Sequence, residues 1–260
     1  QCLLFADGGL LALGCNVFNM GVIPCLLAYP LIYKPLVKRG TSAKNITIAS
    51  VLTVVIGLQL GAFSVVLQTL ASGITQLPFG TFLLLMQPIH LAIGIVEGLI
   101  TAAVLIYVGS ARPELLESAQ AAPPLSKQVS LRQVLAMLGV LTLLVGGGLS
   151  LFASSYPDGL EWSVDGVLRR SEAIQGASTG ESVEPAAVSD EPRGIEASGG
   201  AYDMAANIQG ATSLMPDYAF KDSDSAAGTS VAGIVGSAVT MLLAAGMGLL
   251  IAKNRRRVAQ

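Results

Sequence analysis

Long apolar stretches alternate with short polar ones along this chain. A helix needs about 20 predominantly apolar residues to cross a bilayer. Five stretches qualify: about Gly9–Tyr33, Ile46–Leu70, Pro88–Val108, Val134–Phe152 and Ser230–Ala252. Backbone polar groups in lipid must pair within their own segment, so each stretch predicts a helix. The first contains Asn16, Asn19, Pro24 and Pro30, which predict a break or a kink. The connector at about Ala153–Thr229 differs from the others in being long and hydrophilic. Its middle, about Glu172–Gln209 (172–209), is rich in Ala, Ser, Gly and Glu and nearly free of aromatics, which predicts weak order or disorder. Its edges, Tyr156-Pro157-Asp158-Gly159-Leu160-Glu161-Trp162 and Met215-Pro216-Asp217-Tyr218-Ala219-Phe220, combine Pro-Asp turn chemistry with aromatics suited to a membrane interface. The expected fold class is all-α: a polytopic transmembrane helix bundle of about five visible spans with a large external acidic loop.

Charge gives the expected orientation. The first connector carries Lys34, Lys38, Arg39 and Lys44, and the second, about Ala71–Gln87, carries no charge. The third carries Arg112, Glu114, Glu117, Lys127 and Arg132, and the C-terminal tail carries Lys253, Arg255, Arg256 and Arg257. Short basic connectors lie on the cytoplasmic side. With five spans the sides alternate, which puts the C-terminus inside and the loop 153–229 outside. That loop holds thirteen acidic residues against four basic ones, a net of −9. Three regions are expected: 1–118 with three spans, a linker 119–130 containing Pro123-Pro124, and a two-span hairpin 131–260.

Composition narrows the class. Of 260 residues, 52% are apolar and 12% charged, and mean hydropathy is +0.65. These values exclude a soluble globular domain and a wholly disordered chain. A net charge of −2 gives no overall field for nucleic acid, and none is expected as a partner. The chain opens on Gln1 in apolar sequence without a charged leader, which reads as a fragment or a lost start. Cys2, Cys15 and Cys25 show no metal-ligand spacing and read as small buried apolar residues.

Few residues offer chemistry. Small residues let membrane helices approach closely, a role that fits Gly57xxxGly61 and Gly94xxxGly98. Gly146-Gly147-Gly148 fits it too, or marks a flexible point. His90 and Glu97 are seven residues apart, two turns, on one helix face. An ionisable group in a membrane usually faces the bundle or a cavity, so the pair lines a polar path, or each is simply hydrogen-bonded between helices. The chain has no second histidine, so these residues alone build no zinc-protease site. Asp7, before Gly8-Gly9, reads as a helix cap, with lining a site as the alternative. Asn16 and Asn19, three apart, with Gln59 on the next span, read as bridges between helices. Arg255-Arg256-Arg257 reads as a topology anchor or a contact for anionic lipid. No Walker motif, nucleophile–base pair or Rossmann fingerprint occurs, so no nucleotide hydrolysis and no enzyme activity is expected of this chain.

Three stretches carry a family resemblance. Leu3-Leu4-Phe5-Ala6-Asp7-Gly8-Gly9-Leu10 followed by Ala12-Leu13-Gly14-Cys15-Asn16-Val17-Phe18-Asn19-Met20 resembles the CbiM/NikM permeases, the substrate-capture components of energy-coupling factor (ECF) transporters for cobalt and nickel. His90-Leu91-Ala92-Ile93-Gly94-Ile95-Val96-Glu97-Gly98-Leu99-Ile100-Thr101 resembles a later helix of that family. Pro157-Asp158-Gly159-Leu160-Glu161 with Pro216-Asp217-Tyr218 resembles the CbiN/NikN-like accessory module, the PDGLE domain.

The resemblance implies a permease of a prokaryotic plasma membrane that takes Co2+ or Ni2+ from outside. It would work with a transmembrane coupling subunit (CbiQ/NikQ-like) and cytoplasmic ATPase subunits (CbiO/NikO-like), with an accessory hairpin that helps load metal. In the family the metal sits in a planar nitrogen cage built from a Met-His start and another upstream histidine, a geometry suited to Ni(II) or Co(II). Those positions precede Gln1, so no metal ligand is expected within this chain and no bound cofactor. Asp7, Asn16, Asn19, His90 and Glu97 match recurrent polar positions of the family, which implies a supporting polar shell. The alternative reading is a non-transporting accessory, scaffold or sensor whose acidic external loop binds a partner or cations.

Overall fold

The computed structural model describes residues 1–38, 40–73, 78–111, 131–152, 158–179, 200–220 and 227–258. They form α1 (Leu10–Val37), α2 (Ala43–Ser72), α3 (Phe79–Ala111), α4 (Leu131–Leu143, continued through Leu144–Gly148 and Leu149–Phe152), α5 (Gly159–Thr179), α6 (Gly200–Thr212) and α7 (Ala227–Val258). No extended strand occurs among the described residues. Five helices, α1 to α4 and α7, are long and apolar enough to cross a membrane. Their outward positions are large and apolar: Leu31 is 71% exposed, Leu84 74% and Leu242 68%. In water such a surface would be a liability; in lipid it is the solvated face.

The chain divides into two compact units. One comprises Gln1–Leu13 with the described parts of Val129–Ser154 and Ala197–Gln260; the other comprises the described parts of Gly14–Gln128 and Ser155–Glu196.

In the second unit, small residues set the helix packing. A Cβ at Gly94 would lie 3.0 Å from Val55 Cα, and one at Gly98 2.7 Å from Val51 Cα, so α3 rests on the α2 backbone. A Cβ at Gly57 would meet Ala28 Cβ at 3.5 Å, and one at Gly61 the Asn19 carbonyl at 3.1 Å, so α2 in turn rests on α1. Both glycine pairs therefore serve as close-packing seams. α2 begins at Ser42, whose hydroxyl accepts from Asn45 N–H at 3.3 Å, and ends at Gly73 in the left-handed region. α1 does not break at Pro24 or Pro30. It widens over Val17–Tyr33, where hydrogen bonds reach five residues back, as from Lys34 N–H to Tyr29 O. α3 begins at Phe79, nine residues before the expected start at Pro88. A proline costs one ladder bond, here to the Leu84 carbonyl, and a membrane helix tolerates that loss.

α5 packs against α3 in this unit. Val167 joins Ala62, Val66, Phe82 and Met86 in one buried cluster, flanked by Val164 and Leu85. Helices α5 and α6 correct the expectation of weak order over 172–209: 172–179 and 200–209 are helical, while 180–199 lie outside the described residues. A composition poor in aromatics but rich in Ala and Glu favours helix once one face is packed.

In the first unit, α4 and α7 meet through glycines. A Cβ at Gly233 would collide with the Gly146 carbonyl, and one at Gly147 would lie 3.2 Å from Ile234 Cδ1. Ser150 Oγ donates to Gly146 O at 2.6 Å and lies 3.3 Å from Ser230 Oγ. Gly146 and Gly147 thus pack, while Gly148 has open space.

Candidate functional site

The segment before α1 is held by the segment that leads into α7, within the first unit. Leu4 O accepts from the N–H groups of Leu214 (2.9 Å) and Met215 (3.1 Å), and Phe5 O accepts from Asp217 N–H at 2.8 Å. The Phe5 and Tyr218 rings stack with centroids 5.0 Å apart. Phe5, Met215 and Ala232 form a small buried cluster beneath them. Tyr218 OH donates to Asp7 Oδ2. Burial first, and this bond second, raise the Tyr218 phenol well above its ordinary value of 10.0, so it remains a proton donor at any physiological pH.

Asp7 therefore does not cap α1, as its position before the glycines suggests. The first helical amide, Leu10 N–H, is instead capped by Gln209 Oε1 of α6 at 2.7 Å, and Gln209 Nε2 reaches back to Ala6 O at 3.4 Å. Gly9 at the helix start has φ +74 and offers no side chain. Among the described residues, the non-glycine positions in the left-handed region are Ala6, Asp217 and Tyr218, and all three belong to this clamp. Such backbone persists only where surrounding contacts impose it.

In the second unit the polar side chains cross between helices in pairs. Asn19, 7% exposed, exchanges hydrogen bonds with Gln68: Nδ2 to Oε1 at 3.1 Å and Gln68 Nε2 to Oδ1 at 3.4 Å. Gln59 Nε2 donates to Gln87 O at 2.8 Å, and Gln87 Nε2 donates back to Gln59 O at 3.3 Å. Asn16 is half-buried on α1. Asn19 does bridge helices; its partner is Gln68, and Gln59 bridges to α3 instead.

His90 is half-buried on α3, and its Nδ1–H donates to Met86 O at 2.8 Å. A carbonyl only accepts, so Nδ1 carries the proton. The start of α5 lies against this ring: a Cβ at Gly159 would lie 3.2 Å from His90 Cε1 and 3.3 Å from Ile89 Cγ2. The Asp-Gly-Leu-Glu run explains itself locally. Asp158 Oδ1 accepts from Leu160 and Glu161 N–H, both at 2.8 Å, and Glu161 Oε2 accepts from Asp158 N–H at 3.3 Å. That is a reciprocal capping box. Gly159 is the residue without a side chain that lets the capped end reach His90. Both carboxylates are engaged in the cap. Trp162 is exposed, as suits an interface, whereas Tyr218 is turned inward to Asp7; Pro157 lies outside the described residues.

Glu97 is exposed on α3, and no bond joins it to His90 among the described residues. Among the same residues, no group of three or more His, Cys, Asp or Glu side chains comes together to hold a metal ion. Cys2 is buried, but Cys15 and Cys25 are exposed, against the expectation for all three. On a spanning helix an outward position meets lipid, where a thiol is as acceptable as in a core. Gln209, Gln68 and Gln87 are polar contributors that sequence reasoning missed; each is a single glutamine without a motif.

These features define a multi-pass α-helical membrane protein. Residues 1–115 match the family described as the cobalt uptake substrate-specific transmembrane region, CbiM, and residues 132–191 and 179–253 match the PDGLE domain. The first part of the chain is thus similar to the CbiM family, which is one of transport components rather than catalysts, and the second part is similar to the PDGLE domain. It is 29% identical over 247 residues to a protein of Archaeoglobus fulgidus named as a fused nickel transport protein, NikMN, covering 94% of this chain and 66% of that one. It is 33% identical over 118 residues to a protein of Haloquadratum walsbyi named as a metal transport protein, covering 45% of this chain and 50% of the relative. It is also 35% identical over 126 residues to one of Methanococcus voltae named as a cobalt transport protein, CbiM, covering 45% and 52%. The chain thus spans from half to just under two thirds of the length of these relatives. No solved structure gives a significant match.

Proposed function

We propose that this chain is the substrate-capture component of an ATP-driven cobalt or nickel importer, and that its accessory hairpin holds the permease's N-terminal segment in the geometry needed for capture. The ion is substrate. Energy comes from cytoplasmic ATPase subunits through a separate transmembrane coupling subunit. The observation that carries the reading is the clamp. The Leu4–Gly9 segment, one signature of the permease region, is tied to Gln209–Tyr218, an edge of the accessory loop, by backbone bonds, a helix cap and the Tyr218–Asp7 bond.

The physical logic is that of preorganisation. A segment ahead of a helix has no ladder of its own, and ordering each residue costs about 1–2 kcal/mol of backbone entropy. A clamp supplied by another part of the chain covers that cost before the ion arrives. The basic connectors at Lys34–Lys44 and the basic tail at Lys253–Arg257 support an inside location for those ends, which puts the clamp outside, where the ion is met. Within the first unit Asp7 ties the segment before α1 to Tyr218; within the second, Asn19 bridges helices and His90 seats the other accessory edge at α5.

Accumulation of radiolabelled Co2+ and Ni2+ tests the reading. Cells would express the complete gene product together with its coupling and ATPase subunits. Accumulation that requires all subunits and intact ATP hydrolysis is the expected result. Uptake equal to that of cells lacking the chain would defeat the transport reading and favour an accessory or sensing role.

A further inference from the structure

At the end of α1 four side chains line up on one face. Lys34 N–H bonds Tyr29 O five residues back, and Lys38 N–H bonds Lys34 O four residues back. A regular α-helix sets residues five apart about 140° from each other. The widened turn removes most of that offset, so Tyr29, Lys34 and Lys38 follow one another along a single face. Tyr33 completes the column: its ring stacks on Tyr29, with centroids 5.6 Å apart and planes 19° from parallel. Lys34 Nζ lies 5.5 Å from the centre of the Tyr29 ring. That contact holds one ammonium at ring height instead of leaving it free to sweep the surface.

The column faces outward: Tyr29, Lys34 and Lys38 are exposed, and Leu31 beside them is 71% exposed. On a spanning helix such positions meet lipid, the apolar stems against acyl chains and the polar tips among headgroups. We propose that this column seats one anionic phospholipid, its phosphate held between the Lys34 and Lys38 ammoniums and an acyl chain lying along Leu31. Side chains one helical turn apart start about 5–6 Å from each other, so both ammoniums reach a single phosphate. The tyrosine hydroxyls add donors just below it. A zwitterionic headgroup brings a cation of its own, which the two lysines repel. The basic connector supports an inside location for this end, on the leaflet that carries anionic lipid.

The test is native mass spectrometry of the complete gene product, ejected from nanodiscs holding equal amounts of phosphatidylglycerol and phosphatidylcholine. One phosphatidylglycerol is expected to stay bound, retained at least about tenfold over phosphatidylcholine; each lysine near an anionic headgroup contributes roughly fivefold. Lys34→Gln with Lys38→Gln should abolish the preference. Lys34→Arg with Lys38→Arg keeps the charge and should preserve it, which guards against loss through misfolding. Lys44→Gln, on the neighbouring helix α2, should leave most of it in place. No preference in the unaltered protein, a preference that survives loss of both lysines, or one lost equally in Lys44→Gln or in the arginine pair would each overturn the proposal. A benzophenone amino acid at Leu31, illuminated in native membranes, checks the occupant: adducts with lipid are expected, and an adduct with a protein subunit would overturn it. The readout needs only that α1 meets lipid, so it stands or falls separately from the transport reading.

Discussion

Gly98→Ala isolates the seam on which the α2–α3 pair rests. The added Cβ would sit 2.7 Å from Val51 Cα and 3.3 Å from Val51 Cγ2. Carbon atoms prefer about 3.5–4.0 Å, so relief requires the helices to part by roughly 1 Å. The nearest obstacle is backbone, so no rotamer change removes it. Overpacking of this kind costs about 1–3 kcal/mol. Alanine recovers about 1 kcal/mol of helix propensity over glycine, leaving a net loss of up to about 2 kcal/mol. Gly80→Ala is the internal control: it lies on the same helix with nothing within 4 Å of its Cβ position, so propensity alone should act and stability should rise slightly. Steric-trap unfolding in bicelles would measure both. If Gly98→Ala proved as stable as Gly80→Ala, the close seam would be refuted.

Other expectations follow from particular contacts. A double-mutant cycle with Asn19→Ala and Gln68→Ala should give a coupling of about 0.5–1.5 kcal/mol, the range for polar pairs between membrane helices; additive losses would mean the two amides do not exchange hydrogen bonds. Alkaline difference absorbance should show a tyrosine titrating well above 10.0 that disappears in Tyr218→Phe. The raised value means that the protonated phenol's contribution is complete below pH about 10 and lost as pH rises toward the folded-state value; a normal titration for Tyr218 would contradict its bond to Asp7.

Much of this architecture is written locally, and the rest is not. The five spans follow from apolar run length, and Gly57, Gly61, Gly94 and Gly98 disclose their seams because close approach needs small residues at one spacing. The start of α3 is hidden because Pro88 looks like a boundary, yet a membrane helix absorbs it. α5 carries its own start signal in Asp158 and Glu161, three residues apart, which the polar composition of the loop obscures. The clamp is least legible. Its bonds join residues 199 to 212 positions apart, from Leu10–Gln209 to Phe5–Asp217. Asp7 alone offers the plausible local role of a cap, and only the fold shows that Gln209 takes that role and frees Asp7 for Tyr218.

The most direct measurement compares metal accumulation by the complete transporter carrying Gln209→Ala with Tyr218→Phe against one carrying Met204→Ala. Met204 lies on the same helix α6 as Gln209, 66% exposed and outside the clamp. Losing a cap and a charge-assisted hydrogen bond together removes about 2–4 kcal/mol of clamping. The account predicts uptake at least about tenfold lower in the double variant at equal membrane abundance, with Met204→Ala at the wild-type rate. Wild-type uptake in the double variant would contradict the claim that the accessory loop sets the capture geometry.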